Sequence, residues 1–289
     1  MVRCTTLHAV DQTNDADELS PWIGRTEVVT DVVSPQSVDH LAKTLDCETG
    51  LNTGDRLPPL WHFCYFIESD GLSHLGPDGH SLKGGFLPPI ALPRRMWASG
   101  RFTFHKDLHV GDEVERTATV KGIDHKSGAS GPLIFVTVDY EYVVRGATVL
   151  TEEKDLVYRA NPEPNAPAPK TRPAPEGGQW QTAVTPTSVM LFRYSAVTFN
   201  SHRIHYDRDY ARDVEGYAGL VVHGPLTATL LAALAEQRRS QRLRTFSFRA
   251  SAPLFDQPFS IDGKESPDGA DLWAATPNGN LAMTASATF

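Results

Sequence analysis

Apolar positions along this chain recur with two periods, one helical and one of two residues, and the periods appear in the same order on either side of a proline-rich stretch at 161–178. Before it, Val38, Leu41, Ala42 and Leu45 fall at helical spacing behind Ser34-Pro35, a capping residue followed by a proline suited to the first helical position. After it, Val189, Phe192 and Ala196 answer that spacing behind Thr185-Pro186. A second apolar helix is then expected to begin at a proline in each part: LPPLWHFCYFI at 57–67, and GPLTATLLAALAEQ at 224–237 with Leu226, Leu230 and Leu234 on one stripe. Alternating aromatics follow, Phe102 and Phe104 in one part, Phe246 and Phe248 in the other, with Asp112 and Asp256 at equal distances beyond them. Such alternation buries one face of a strand. More strands are expected at 133–145, at 148–159 and over LWAATP and LAMTASATF, with turns at Lys126-Ser127-Gly128 and Asn278-Gly279-Asn280.

An order of helix, loop, helix and strands that occurs twice is the mark of a duplicated domain whose copies have diverged. The stretch NPEPNAPAPKTRPAPEGG is too rich in proline for a helix or a central strand, and so divides them. The predicted organisation is a mobile leader at 1–20, a first unit at 21–160, the linker at 161–178 and a second unit at 179–289. Each unit is expected to be α+β, a long apolar helix wrapped by an antiparallel sheet. The segment from Asp70 to Gly100 has no counterpart in the second unit; a Gly- and Pro-rich loop of that length is either functional or a surface excursion.

Composition narrows the field. The 289 residues are 40% hydrophobic and 21% charged, which is globular, and the formal charge of −8 argues against a broad nucleic-acid footprint. No apolar run approaches the roughly 18 residues of a membrane span. Cys4, Cys47 and Cys64 are odd in number and lack CxxC spacing, so a reducing, cytoplasmic setting fits better than a disulfide framework. The acidic N-terminal segment lacks the apolar stretch of a secretory signal.

The most informative stretch is FRYSAVTFNSHRIHYDRDYARDVEGYAGLVVHGP, 192–225. It resembles the MaoC-like hydratases, which place an acidic residue and a histidine four intervening residues apart on a loop after the first helix, followed by a His-Gly step opening the central helix. Here Asn200 and His205 occupy the pair and His223-Gly224 the step. Over most of the chain, WIGRTEVVTDVVSP, LPPLWHFCYF, LGPDGH, GGFLPP, LPRRMWASGRFTF, SGPLIFVTV and TFNSHRIHYD look like the itaconyl-CoA and mesaconyl-C4-CoA hydratase subgroup, in which an asparagine also stands at the acidic position. The resemblance implies a double hot-dog fold, a degenerate substrate-binding first unit, a catalytic second unit, and water added to or removed from a small enoyl-CoA thioester, of the C5 dicarboxyl type.

The chemistry suits these residue types. An imidazole with an ordinary pKa near 6.5 can take a proton from water and return it. The amide of Asn200 cannot act as a base, so it is expected to hold the water through its carbonyl oxygen. Gly224 lies at the mouth of a helix, where free N–H groups and the dipole favour a developing oxyanion, and the resemblance assigns its N–H to that charge. His202 and His223 are expected to support His205 and the substrate. Arg94 and Arg95, beside Trp97, suit a CoA phosphate or a substrate carboxylate, or are ordinary surface cations. Arg203 suits a dicarboxylate, or ties down the loop through Asp207 or Asp209.

A metal on His202, His205 and His223 is not expected, because the motif lacks an acidic second partner. A Ser195–His205 hydrolase lacks a G-x-S-x-G elbow. An acyl-CoA substrate and a homo-oligomer are expected, with no nucleic-acid or membrane partner, no metal, and no cofactor beyond the CoA of the substrate. The alternatives are a 3-hydroxyacyl dehydratase served by an acyl carrier protein, a hot-dog thioesterase, and a non-catalytic acyl-CoA-binding module.

Overall fold

The structure of the protein is a computed structural model that describes residues 16–47, 50–128, 131–161 and 170–289. In the first part these form α1 (Ala16–Leu19), β1 (Thr26–Val32), α2 (Pro35–Thr44), β2 (Arg94–Phe104), β3 (Glu113–Gly128), β4 (Gly131–Val144) and β5 (Ala147–Arg159). The second part contributes β6 (Trp180–Val184), α3 (Ser188–Val197), α4 (Gly224–Arg239), β7 (Thr245–Ala250), β8 (Phe259–Ser266), β9 (Gly269–Ala275) and β10 (Leu281–Thr288). All the strands join one antiparallel sheet in the order β1-β3-β4-β5-β2-β7-β10-β9-β8-β6. From its two ends inward the sheet repeats itself, β1-β3-β4-β5-β2 against β6-β8-β9-β10-β7, so the duplication legible in the sequence is built into the topology.

The repeats meet where β2 pairs with β7, and Phe102 stands directly opposite Phe246. The aromatics matched across the linker are therefore cross-strand neighbours, buried to 2% and 1% exposure. A Cβ at Gly100 would stand 2.7 Å from the Phe248 ring, so a glycine lets the ring lie on the strand. Truncating Phe102 or Phe246 to alanine is a large core deletion, costing about 3–5 kcal/mol.

Helix α4 is the long helix of the second repeat. Leu226, Leu231 and Leu234 are buried together with Ala228, Ala232 and Ala235, and each leucine contributes about 1.5–3 kcal/mol on leaving water. Leu230, expected on the same stripe, is partly buried. Arg56 of the first repeat reaches across to α4 and grips Glu236 with two bonds of 2.9 and 2.6 Å.

Several expectations change. Residues 57–67 do not form a long helix: they make a short 3-10 turn at Trp61–Cys64, with Leu60 and Phe66 on either side in left-handed backbone that a helix cannot continue. The long helix is thus present in the second repeat alone, while the first is dominated by strands of 11 to 16 residues. Helix α2 forms as expected, with Ser34 capping the Ser37 N–H. Helix α3 begins two residues later than expected, capped by Thr187, and it buries Leu191, Tyr194 and Ser195. Val189, Phe192 and Ala196 are exposed, because the face that packs inward is the one whose Ser195 hydroxyl meets His223.

Of the expected leader, residues 1–15 and Cys4 lie outside the described residues, but Leu19 is fully buried on α1. Of the linker, 162–169 lie outside them, while Arg172 and Ala174 bond to Leu281 and Gly279 and belong to the second repeat. Lys126–Gly128 do not form a turn but continue β3, with Gly128 paired opposite Gly131. The Asn278–Asn280 turn forms, with Thr276 N–H on Asn280 O and Gly279 at φ 72°. Arg94, Arg95 and Trp97 sit on β2 rather than in the long loop.

Candidate active site

Helix α3 ends at Val197, and Phe199, at φ 50°, turns the chain into the loop that carries Asn200, His202, Arg203 and His205. The Asn200 carbonyl oxygen accepts the His202 backbone N–H at 3.0 Å, an Asx-type turn that stiffens the loop. That oxygen was expected to hold the water; the structure gives it to the backbone, and among the described residues the NH2 of Asn200 has no protein partner.

His205 is 7% exposed. Its Nδ1–H donates to Val221 O at 2.7 Å, which leaves Nε2 as an unprotonated nitrogen with no protein partner among the described residues. Burial, reinforced by the charge of His202 and opposed by the bond to Val221, pushes its pKa down to about 3, so the ring is neutral at physiological pH. The expected pKa near 6.5 is therefore corrected downward. Beneath it, at 3.7 Å between ring centroids, lies His223, which is fully buried with Nε2 2.9 Å from the Ser195 hydroxyl. Burial, with His205 and His202 adding to it, holds His223 well below the ordinary range. Ser195 thus serves His223, and the Ser195–His205 pair of a hydrolase does not form.

His223 is the cap residue of α4, whose first described intrahelical bond runs from Thr227 N–H to His223 O at 3.1 Å. Gly224, one residue further, lies in the first turn, where N–H groups lack helical acceptors. A Cβ built on it would meet nothing within 4 Å, so the helix start is open on the side of the Gly224 Cα. A base with a free nitrogen and a helix N-terminus facing open space are thus joined through one stacked ring.

The first repeat completes the site. His202 stands edge-on to His205 at 5.5 Å, lies 3.8 Å from the Glu215 carboxylate, and packs at 4.0 Å on His80, from the long loop after Asp70. His80 Nδ1 bonds the Asp78 carboxylate at 2.9 Å. Burial and the charges of Arg95 and His202 outweigh that bond and push His80 down to about 3. The loop is fastened by Arg203 N–H to Asp78 O at 2.9 Å and by the Ser201 hydroxyl to Gly79 O. A Cβ at Gly79, which has φ +89°, would overlap Ser201 O at 1.9 Å, so only glycine fits. The long loop is therefore packed on the loop that carries His205. Asp78 and His80 are the residues that sequence reasoning missed as site members; the Asp-Gly-His step inside LGPDGH was their signal.

The other candidates fall elsewhere. Arg203 pairs with Asp207 at 2.7 Å and donates to Pro77 O, a loop-fastening role. Arg94 is 8% exposed and bound to Asn161 and Glu215. Trp97 packs between Phe63 and Phe248, with Lys154 over its ring. Arg95 makes no ion pair among the described residues. The stacked rings of His205 and His223 run parallel, so their nitrogens do not converge on an ion. Among the described residues, the group whose donor atoms do come together, within 4.8 Å, is Asp78, His80 and His202.

A family model for hydroxyacyl-thioester dehydratase type 2 matches residues 60–256. The chain belongs to this family. It is 46% identical over 269 residues to a mesaconyl-C(4)-CoA hydratase of Chloroflexus aurantiacus, covering 91% of this chain and 95% of that one. Among solved structures it is similar to a MaoC-like dehydratase of Phytophthora capsici, with TM-score 0.67 at 13% identity over 96% and 99% of the two chains. It is also similar to a Mycobacterium tuberculosis protein described as a double hot-dog, with TM-score 0.56 at 16% identity over 92% and 96%. The double hot-dog architecture and the hydro-lyase class both stand. No helix among the described residues is long and apolar enough to cross a membrane.

Proposed function

We propose that this protein hydrates a mesaconyl-type C5 dicarboxyl CoA thioester, with His205 as the base. The observation that carries this reading is the fixed tautomer of His205: Nδ1–H is held by Val221 O, and Nε2 is left free beside the open N-terminus of α4. In the forward direction Nε2 takes a proton from water as the oxygen bonds to Cβ. The electron pair of the double bond moves toward the thioester, whose oxygen is met by the Gly224 N–H and the positive end of the α4 dipole. The imidazolium then returns its proton to Cα. A buried imidazole whose charged form is disfavoured gives the proton back readily, which suits a reversible addition. His223 stacks under the base and Asn200 stiffens its loop. The reaction needs no cofactor beyond the CoA of the substrate.

The test is incubation of the purified chain with mesaconyl-type, itaconyl-type and simple enoyl-CoA esters, read by mass spectrometry. Gain of one water on the C5 dicarboxyl ester supports the reading; release of free CoA indicates a thioesterase, and preference for carrier-bound chains a carrier-protein dehydratase. Free thiols at Cys47 and Cys64 fit a cytoplasmic setting. Exposed Val189, Phe192 and Phe199 form an apolar strip beside the catalytic loop that fits self-association, which sedimentation would measure.

A further inference from the structure

Of two adjacent arginines on β2, one is neutralised and one is not. Arg94 is tied to Asn161 and Glu215, whereas the Arg95 guanidinium has no carboxylate partner among the described residues. Arg95 lies directly opposite Tyr158 in the β2–β5 ladder, so the two side chains share a face of the sheet. Tyr158 is fully buried; the Arg95 guanidinium lies near its hydroxyl, whose proton has no acceptor among the described residues. A buried hydroxyl proton without an acceptor is costly, and a ligand that accepts it removes that cost. Lys83 adds a second cation, its Nζ 5.6 Å from the Tyr158 ring and held by Ile90 O at 2.9 Å. Burial first, and the Arg95 charge next, disfavour protonation of Lys83 and of His80, whose ring bonds the Asp78 carboxylate.

We propose that Arg95 and the Tyr158 hydroxyl form the subsite for the free carboxylate of the acyl group, with Lys83 and His80 at its edge. The inference rests on the dicarboxyl reading above and names the residues that enforce it. The position of neighbouring His80 bears on which of the substrate's two anions is held here. His80 is two ring-to-ring steps from His205, of 4.0 and 5.5 Å, which a short diacid chain can span. The phosphates of CoA are separated from the thioester by the whole pantetheine arm and do not reach a group so near the reacting carbons. The guanidinium fork would take the carboxylate bidentately while the phenol, kept protonated by burial, donates a further bond.

The experiment compares kcat/KM for a mesaconyl-type C5 dicarboxyl CoA ester with that for an uncharged four-carbon 2-enoyl-CoA. Arg95→Met is expected to lower the first roughly ten- to a hundredfold, the range for losing a charged hydrogen bond, and to leave the second within a few-fold. Arg95→Lys, which keeps the charge without the fork, should recover part of the loss. Tyr158→Phe should give a smaller loss on the dicarboxyl ester alone. Activity on the uncharged ester serves as the internal control for folding. An equal loss on both esters, or no loss on either, overturns the subsite while leaving the proposed reaction intact. A wild-type chain that hydrates the uncharged ester and ignores the dicarboxyl one overturns the substrate reading itself, and the subsite with it.

Discussion

Both repeats bury histidine in the same sheet topology, yet they place it in opposite surroundings. In the first, His62 is 3% exposed with Nε2 3.4 Å from the Glu152 carboxylate. The Tyr142 hydroxyl donates to the same oxygen at 2.9 Å, and Lys154 lies 3.7 Å from the other. Burial alone would raise the Glu152 carboxyl, but Lys154, His62 and Tyr142 hold it at about 2. In the second repeat His205 meets a backbone carbonyl and two other imidazoles, and its second nitrogen stays free. The His62 ring, the Glu152 carboxylate, the Tyr142 hydroxyl and Lys154 thus engage one another in a structural network. Burial keeps the His205 ring neutral, and one of its nitrogens is unengaged by the protein among the described residues, the form that can take a proton. The fold is duplicated; the electrostatics are not.

The sharpest way to break this contrast is to remove each histidine in turn. His205→Ala should lower kcat by about two to four orders of magnitude, with circular dichroism unchanged. His62→Ala should leave kcat within a few-fold while lowering the melting temperature. Comparable loss of turnover in both folded variants would dissolve the distinction.

Next in size is the closed network. Glu152→Ala leaves the buried Tyr142 hydroxyl without its acceptor and the partly exposed Lys154 without its carboxylate, a loss of about 1–3 kcal/mol. Urea titration should show that loss, and single-turnover hydration of the folded fraction should be normal. A stability change under about 1 kcal/mol, the size expected of a surface pair, would mean the network is not closed to water.

The difference also predicts how stability follows pH. His205 and His80 are held at about 3, and His223 well below 6.5, whereas in the unfolded chain each returns to about 6.5. Between those values the unfolded state binds protons that the folded state refuses. Stability is therefore full above about 6.5 and falls as the pH drops toward 3, by at most about 1.4 kcal/mol per pH unit for each ring. Replacing His205 with glutamine should flatten the slope by one ring's share in denaturation curves collected across that window.

How much of this was legible follows from which forces act locally. The α2 cap, the strands and the apolar content of α4 depend on neighbours a few residues away, and the duplicated order of signals carried the topology, down to Phe102 facing Phe246. The missing helix at 57–67 was not legible, because two left-handed residues, Leu60 and Phe66, are held by tertiary packing that no periodicity reports. The exposed face of α3 was misread for a related reason: its buried side carries Ser195, polar in sequence and satisfied only by His223, which is 28 residues away. The motif put His205 on a loop after a helix and Gly224 at the start of the next, which is where both sit. His80 and the contrast between Arg94 and Arg95 were not, since they depend on contacts between repeats and on which arginine meets Glu215.

The smallest expected effect concerns Asn200, where one added charge would make the second repeat resemble the first. The Asn200 oxygen already accepts the His202 N–H, so Asn200→Asp can keep that bond and the loop. Asn200→Ala loses it, worth about 1 kcal/mol, and should slow turnover by about fivefold or less. The aspartate differs in its charge. A carboxylate on this loop favours the imidazolium of His205, raising its pKa from about 3 toward the ordinary 6.5. The base acts in its neutral form, so activity is present above that pKa and lost as pH falls through it. In the wild type the acidic limb of kcat/KM should lie well below pH 6.5, leaving the neutral range flat; in Asn200→Asp it should move upward into the range of pH 5–6, with a nearly unchanged plateau. If the two profiles coincide, the carboxylate does not reach the electrostatic environment of His205, and the asparagine is there for the backbone turn alone.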